Sequence, residues 1–255
     1  MVDVRSLNLE SLNSATKYPS ILTFHERAPK GGVLLDTATS FKGDVVLTEK
    51  VDGTNARIIV FPDGFYVIGS REELLHARGD LIANPKEGVV DALRAVADGL
   101  SAPDSDVRVL YLEVYGGKIG PNARQYTGQG RTGFRMFDAA TIPEDILQRT
   151  PAEVSAWRER GGQAFWGEKQ LRGLSAWEGI ELTPRLGLIP AAEVPTGIEA
   201  MRDFLISRLP ETQVALDADG GRRPEGIVLR TPDRTVIAKA RLADYEKTLR
   251  HYSRL

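Results

Sequence analysis

The stretch Thr48-Glu49-Lys50-Val51-Asp52-Gly53-Thr54-Asn55-Ala56-Arg57 sets one lysine between two apolar runs, Val45-Val46-Leu47 and Ile58-Ile59-Val60-Phe61. A carboxylate stands directly before Lys50, at Glu49, and another two residues after it, at Asp52. A lysine in this setting is either one half of an ion pair or a nucleophile. Nucleophilic work requires the neutral amine, which desolvation or a neighbouring cation favours. The apolar runs read as strands, and Gly53 as a tight turn between them at positive φ, where a side chain is costly. Taken alone, the stretch also fits a surface hairpin. Further polar or aromatic residues recur at the ends of, or inside, other apolar runs: Arg71, Glu113, Phe137, Glu225, then Lys239 with Arg241. The last two are spaced two apart on one predicted strand, so both side chains face the same way.

These residues need strands to hold them. Strands are predicted at about 44–50 and 55–61, and at Phe65-Tyr66-Val67-Ile68 after the Pro62-Asp63-Gly64 turn, which makes a three-strand antiparallel meander. Val107 to Glu113 and Gly133 to Asp138 are two more, separated by a glycine-bearing loop over 116–132. Glu225 to Arg230 and Val236 to Lys239 form a later pair around Pro232-Asp233. Helical spacing of Val89, Leu93, Val96 and Leu100 predicts a helix over about 87–100. Thr150-Pro151-Ala152-Glu153 is a capping box with proline at the first helical position, so a helix runs from there to about Arg160. Another begins at Thr196-Gly197, with Ile198, Met201 and Leu205 on one face. Leu242, Tyr245, Leu249 and Tyr252 make the last stripe. Residues 1–43 read as mixed extended pieces and loop, and 139–220 as a helical insertion that supports the sheet. The expected class is α+β, rich in antiparallel strands, in a single domain over 1–255.

Composition narrows the chemistry. The 255 residues suffice for a sizeable core, with 42% hydrophobic and 27% charged residues, as in ordinary globular proteins. There is no cysteine, which excludes disulfides, thiol chemistry and cysteine zinc sites. The three histidines, His25, His76 and His251, are scattered. A metal would therefore need carboxylates and substrate phosphates, which suits Mg²⁺ or Mn²⁺. No apolar run approaches the roughly 20 residues of a membrane span, and the N-terminus lacks a signal-peptide pattern, so a cytoplasmic setting without a membrane partner is expected. The formal net charge is −2, too small for wholesale coating of nucleic acid. From Gly221 to Leu255, however, basic residues outnumber acids nine to four, which fits a phosphate-bearing substrate held at one place.

In order and context, these residues resemble the six motifs of the covalent nucleotidyltransferases: ATP-dependent DNA ligases, RNA ligases and mRNA capping enzymes. Lys50-Val51-Asp52-Gly53 is similar to motif I, Ser70-Arg71 to motif Ia and Glu113-Val114-Tyr115-Gly116 to motif III. Phe134-Arg135-Met136-Phe137-Asp138 is similar to IIIa, Glu225-Gly226-Ile227-Val228 to IV and Lys239-Ala240-Arg241 to V. Three features resemble the RNA ligase 2 type in particular: Glu49 before the lysine, Asn55 five residues after it, and Lys17-Tyr18-Pro19-Ser20-Ile21 near the start. Asp52 departs from the histidine of some members of that group, and Arg241 stands where a lysine is usual.

The resemblance implies a nucleotidyltransferase fold of two antiparallel sheets flanked by helices, with ATP in the groove between them. It implies that Lys50 attacks the α-phosphorus of ATP and carries AMP, which passes to a 5′-phosphate before a 3′-OH seals the break. Lys239 and Arg241 would hold the α-phosphate and help keep Lys50 unprotonated. Glu225 and Asp52 would bind the divalent metal, Asp52 through water. Glu113 would accept from the ribose hydroxyl, and Phe137 would stack on adenine. Arg71 would contact the ribose or a 5′-phosphate, Arg230 the ATP phosphates, and Asn55 and Glu49 would orient the nucleotide. The expected substrate is RNA with 5′-phosphate and 3′-OH ends, in RNA sealing or repair. Only about a dozen residues follow the motif V match, so neither the C-terminal OB domain of DNA ligases nor the helical domain of RNA ligase 2 is expected, and a protein partner could supply extra grip on RNA. A DNA ligase or capping-type enzyme is one alternative. A non-catalytic nucleotide or RNA-end binding module is another.

Overall fold

A computed structural model describes residues 7–29, 32–83 and 88–253. In chain order the first elements are α1 (Leu9–Thr16), β1 (Leu22–Thr23), β2 (His25–Arg27), β3 (Leu34–Ala38), β4 (Asp44–Lys50), β5 (Thr54–Val60), β6 (Tyr66–Ser70), β7 (Leu74–Ala77) and β8 (Asp80–Leu81). Then come α2 (Val89–Gly99), β9 (Val107–Gly116), β10 (Thr132–Ile142), α3 (Pro151–Glu159), β11 (Ala164–Phe165) and α4 (Glu168–Glu178). The last are β12 (Arg185–Pro190), α5 (Ile198–Arg208), β13 (Gly226–Arg230), β14 (Ile237–Arg241) and α6 (Leu242–Tyr252). The protein is α+β and divides into two compact units, one of residues 1–19, 53–120 and 132–182, the other of 20–52, 121–131 and 183–255. No helix among the described residues is long and apolar enough to cross a membrane.

The first unit holds a seven-stranded antiparallel sheet, β11-β10-β9-β5-β6-β7-β8. Its central strands are apolar at nearly every position because both faces are covered. Ala56, Ile58, Leu110 and Leu112 pack with α2 and α4 on one face. Ile59, Val109 and Tyr111 pack with α1 and α3 on the other. The capping box of α3 forms as its residues require, with Thr150 accepting from the Glu153 amide and the Glu153 carboxylate accepting from the Thr150 amide.

The second unit is built on a five-stranded sheet, β1-β14-β13-β4-β12, with the short β2–β3 hairpin beside it in the chain. Val45, Leu47, Ile227, Leu229, Ala238 and Ala240 bury one face of the sheet against α5 and α6. The alternate residues therefore lie on the other face.

Several expectations need correction. The two strands around Lys50-Asp52 do not form a hairpin: β4 pairs with β12 and β13, whereas β5 pairs with β6 and β9 in the other unit. The meander is therefore β5-β6-β7. Gly53 is not among the positive-φ glycines. It is required for space, since a Cβ there would lie 2.1 Å from the Val114 carbonyl oxygen. The five-stranded sheet is not purely antiparallel, because β1 runs parallel to β14. Residues 139–220 supply more than helices, since β12 extends the sheet beside β4. Within 1–43 the structure has α1 and the β2–β3 hairpin. The predicted start of the second helix, at 87, lies outside the described residues.

Candidate active site

The residues singled out in the sequence divide between the two units. In the five-stranded unit, the ladder register sets Lys50, Gly226 and Arg241 side by side on β4, β13 and β14, and Thr48, Val228 and Lys239 on the next row of the same face. Lys50, Lys239 and Arg241 thus project from the face opposite the apolar core. Gly226 is glycine for a steric reason: a Cβ would come within 2.0 Å of the Ala240 carbonyl oxygen.

Glu225, just before that glycine, receives Lys50 Nζ at 2.5 Å on its Oε2. Both side chains are largely shielded, at 23% and 16% exposure. Burial pushes the Glu225 carboxyl above the usual carboxylate range, against the pull of Lys50, and the nearby Asp52 charge adds to the rise. Asp52 lies past the strand end. Its amide donates to the Tyr126 hydroxyl at 2.6 Å, and its Oδ2 accepts from Asn122 at 2.5 Å. Burial also pushes the Tyr126 phenol far above its usual range, with the acids Asp52, Glu49 and Glu225 contributing.

Arg241 donates from Nε and Nη2 to the two carboxylate oxygens of Asp244, at 2.8 and 3.1 Å, and those bonds raise its pKa. Asp244 also accepts from Arg27 at 2.5 Å. Arg230 is on the face of Lys50 by strand alternation and is only 2% exposed. Glu49 faces the other way from Lys50. It points with Val45 and Leu47 to the core face, is 1% exposed, and its carboxylate accepts from the Thr212 hydroxyl and from the Gln213 amide at 2.8 Å. It fastens the 212–213 segment to the strand that carries Lys50.

The seven-stranded unit carries the rest. Asn55, Glu113 and Arg135 stand in one row across β5, β9 and β10. Glu113 Oε1 accepts from the Gly53 amide at 3.0 Å. The Asn55 Oδ1 is buried and has no hydrogen-bond partner among the described residues. Arg135 pairs with Glu181. Phe137 occupies the irregularity where β10 shifts register against β9, between Met136 and Asp138. Its ring meets Tyr18 edge-on, with centroids 5.0 Å apart. Tyr18 also contacts Tyr111 and donates its hydroxyl to Asp138 at 2.9 Å. Tyr18 was noted in the sequence as part of a signature; here it braces Phe137. Arg71 follows the end of β6, is 57% exposed, and has Nε 3.6 Å from Glu72.

Tyr126, Asn122 and Thr212 escaped the sequence reading. They lie in segments without periodic pattern, and nothing in their local sequence signals the residues they reach. Among the described residues no group of three or more acids or histidines could hold a metal by itself. A divalent ion of the Mg²⁺ kind needs only one or two carboxylates plus substrate phosphates. Glu225 and Asp52, near enough to feel each other's charge, fit that requirement.

An RNA ligase family model matches residues 43–242. No curated protein matches the sequence. Among solved structures, a mutant of the Naegleria gruberi RNA ligase with ATP and Mn is similar at a TM-score of 0.55 and 15% identity, covering 92% of this chain and 62% of that one. The same ligase with PPi gives 0.54 and 14%, over 92% and 64%. A mutant with AMP and Mn gives 0.55 and 14%, over 90% and 63%. At these identities the likeness is one of fold, and this chain spans less than two thirds of the length of those ligases.

Proposed function

The chain belongs to the RNA ligase family, and we propose that it is an ATP-dependent RNA ligase with a nucleotidyltransferase fold, working through a covalent lysyl-AMP on Lys50. The observation that carries the reading is the shared face of β4, β13 and β14, where Lys50 meets Glu225 and stands in register with Arg241 and one row from Lys239. A lone structural ion pair has no need of two further cations beside it.

Lys50 Nζ attacks the α-phosphorus of ATP. The N–P bond forms, the bond to the bridging oxygen breaks, pyrophosphate leaves, and the amine gives up its proton to solvent. Attack requires the neutral, unpaired amine, so the Lys50–Glu225 contact has to open first. Lys239 and Arg241 hold the α-phosphate and Arg230 the outer phosphates, while Glu113 takes the ribose hydroxyl and Phe137 the adenine. The work is positioning and charge neutralisation, as phosphoryl transfer demands. Glu225 and Asp52 would hold a divalent cation, which when bound neutralises charge on the phosphates. The Naegleria gruberi ligase was solved with ATP and Mn, which supports that pairing of ligands. AMP then passes to an RNA 5′-phosphate, with Arg71 at that phosphate, and a 3′-OH displaces it.

The test is incubation with ATP labelled on the α-phosphate and Mg²⁺, after stripping any bound AMP with pyrophosphate, followed by a denaturing gel. Label should stay on the wild-type chain and be absent from Lys50→Ala. An unlabelled wild type would leave a nucleotide or RNA-end binding module. Nicked duplexes with RNA or DNA on the 3′-OH side then decide the substrate, because the 2′-OH distinguishes them. Equal sealing of both would replace the RNA assignment.

A further inference from the structure

Lys50 is flanked by Glu49 and Asp52, and neither is held by the sheet alone. Asp52 is gripped twice by one short segment: its amide by the Tyr126 hydroxyl at 2.6 Å and its carboxylate by Asn122 at 2.5 Å. Glu49 is gripped by Thr212 and Gln213. The two gripping segments are themselves bonded to each other. The Leu216 amide donates to the Tyr126 carbonyl at 2.7 Å, the Gly221 amide to Arg124 at 2.8 Å and the Arg222 amide to Gln125 at 2.9 Å. Asp217 adds side-chain ties to these three, accepting from the Thr127 hydroxyl and the Gly128 amide. The contact is close enough that a Cβ on Gly128 would fall 2.4 Å from the Asp219 Cβ. Both sides of the lysine are therefore fastened to a single clasp, while its amine stays out of the clasp and rests on Glu225.

We infer that Tyr126 is a positioning residue for the adenylylation step, its hydroxyl holding the Asp52 peptide so that the Lys50 backbone is fixed while the side chain swings from Glu225 to the phosphate. This rests on the ligase reading above. Tyr126 is suited to the task because its ring is 1% exposed, so the hydroxyl has a set position, and because the bond goes to backbone, which does not move with side-chain rotamers.

Tyr126→Phe keeps the buried ring and removes the hydroxyl. Two rates are measured on wild type and variant: lysyl-AMP formation in a single turnover at saturating ATP, and sealing of RNA already bearing AMP on its 5′-phosphate, which needs no attack by Lys50. The first should fall about 10- to 100-fold, the scale expected when a reacting group is displaced by roughly 1 Å. The ATP concentration at half-saturation and the sealing rate should each stay within about threefold. An unchanged first rate would overturn the inference, and so would an equal fall in both rates, which marks a merely structural residue. Should Tyr126→Phe not fold, Asp217→Ala, which frees Thr127 and Gly128 beside Tyr126 and touches neither Asp52 nor Glu225, decides, with the same split at smaller size. A wild type that takes no label sinks the ligase reading itself, whereas a labelled wild type with an equally fast Tyr126→Phe sinks only the clasp.

Discussion

The two units carry their site residues in opposite ways. In the five-stranded unit Lys50, Lys239 and Arg241 stand on the sheet face away from the apolar core, and charge is tied to charge: Lys50 to Glu225, and Arg241 and Arg27 to Asp244. In the seven-stranded unit both sheet faces are covered, and Phe137, Tyr18 and Tyr111 are continuous with one apolar cluster. Chemistry and stability are thus separable in the five-stranded unit and entangled in the seven-stranded one. Substitutions in the five-stranded unit should change rates and spare the fold; those in the seven-stranded unit should change both.

The largest separation is expected at Glu225. Glu225→Gln keeps the volume and an acceptor for Lys50 while removing the negative charge. Lysyl-AMP formation should drop by about 10²- to 10³-fold, the range seen when one preorganised electrostatic group is lost, while stability changes by no more than about 1 kcal/mol. The pH dependence gives a second reading. The folded carboxyl is raised by burial, so the folded state binds the proton more readily than the unfolded chain. Its contribution to stability is full below the ordinary glutamate range of about 4.3 and is lost as pH rises above it. Urea midpoints followed upward from that range should fall more steeply in wild type than in Glu225→Gln. Parallel curves would show that burial of this carboxyl carries no cost.

Phe137 tests the entangled side. Phe137→Leu keeps much of the volume and loses the ring face. The KM for ATP should rise about tenfold, consistent with roughly 1–3 kcal/mol for a base on an aromatic ring, and thermal stability should fall by about 1 kcal/mol. Phe165→Leu is the matched control. That ring also packs edge-on against Tyr18, at 5.6 Å, and has no place in the proposed nucleotide contacts. It should lose similar stability with KM unchanged. A rise in KM of the same size in both would mean that Phe137 acts only as core.

The same contrast decides what could be read without coordinates. Lys50, Glu225, Lys239 and Arg241 are charges at the ends of apolar runs, and such charges announce themselves. Strand pairing does not: Val45 to Leu47 and Ile58 to Phe61 are near neighbours in sequence yet enter different sheets, and no local signal separates that from a hairpin. Gly53 was legible as indispensable but for the wrong reason, because the Val114 carbonyl that excludes a side chain there is far away in sequence. The β12 strand hid behind Pro184, Gly187 and Pro190, which punctuate a run too short to stand out. Glu49 and Arg230 carry charge in the sequence and are buried in the fold, which only the packing reveals. Tyr126 sat in a glycine-bearing loop, and its partner is a backbone amide, which has no sequence signature at all.

The smallest expected effect is that of Arg241→Lys, and it sharpens the comparison most finely. The guanidinium spends two donors on Asp244, at 2.8 and 3.1 Å, and is only 33% exposed on its side chain. In the proposed reaction it would reach the phosphate with what remains of its fork. A lysine cannot make the two-pronged contact, but its flexible stem can place the same positive charge near the same face. If position 241 serves the α-phosphate through charge, Arg241→Lys should keep lysyl-AMP formation within about threefold, with Arg241→Ala some 10- to 100-fold slower. If the forked geometry matters, the lysine variant should fall nearly as far as alanine. Stability separates a third case. Asp244 retains Arg27 at 2.5 Å in either variant, so neither should lose more than about 1 kcal/mol. A larger loss in both would make Arg241 a brace for the start of α6, and the five-stranded unit would then be as entangled at this corner as the seven-stranded unit is at Phe137.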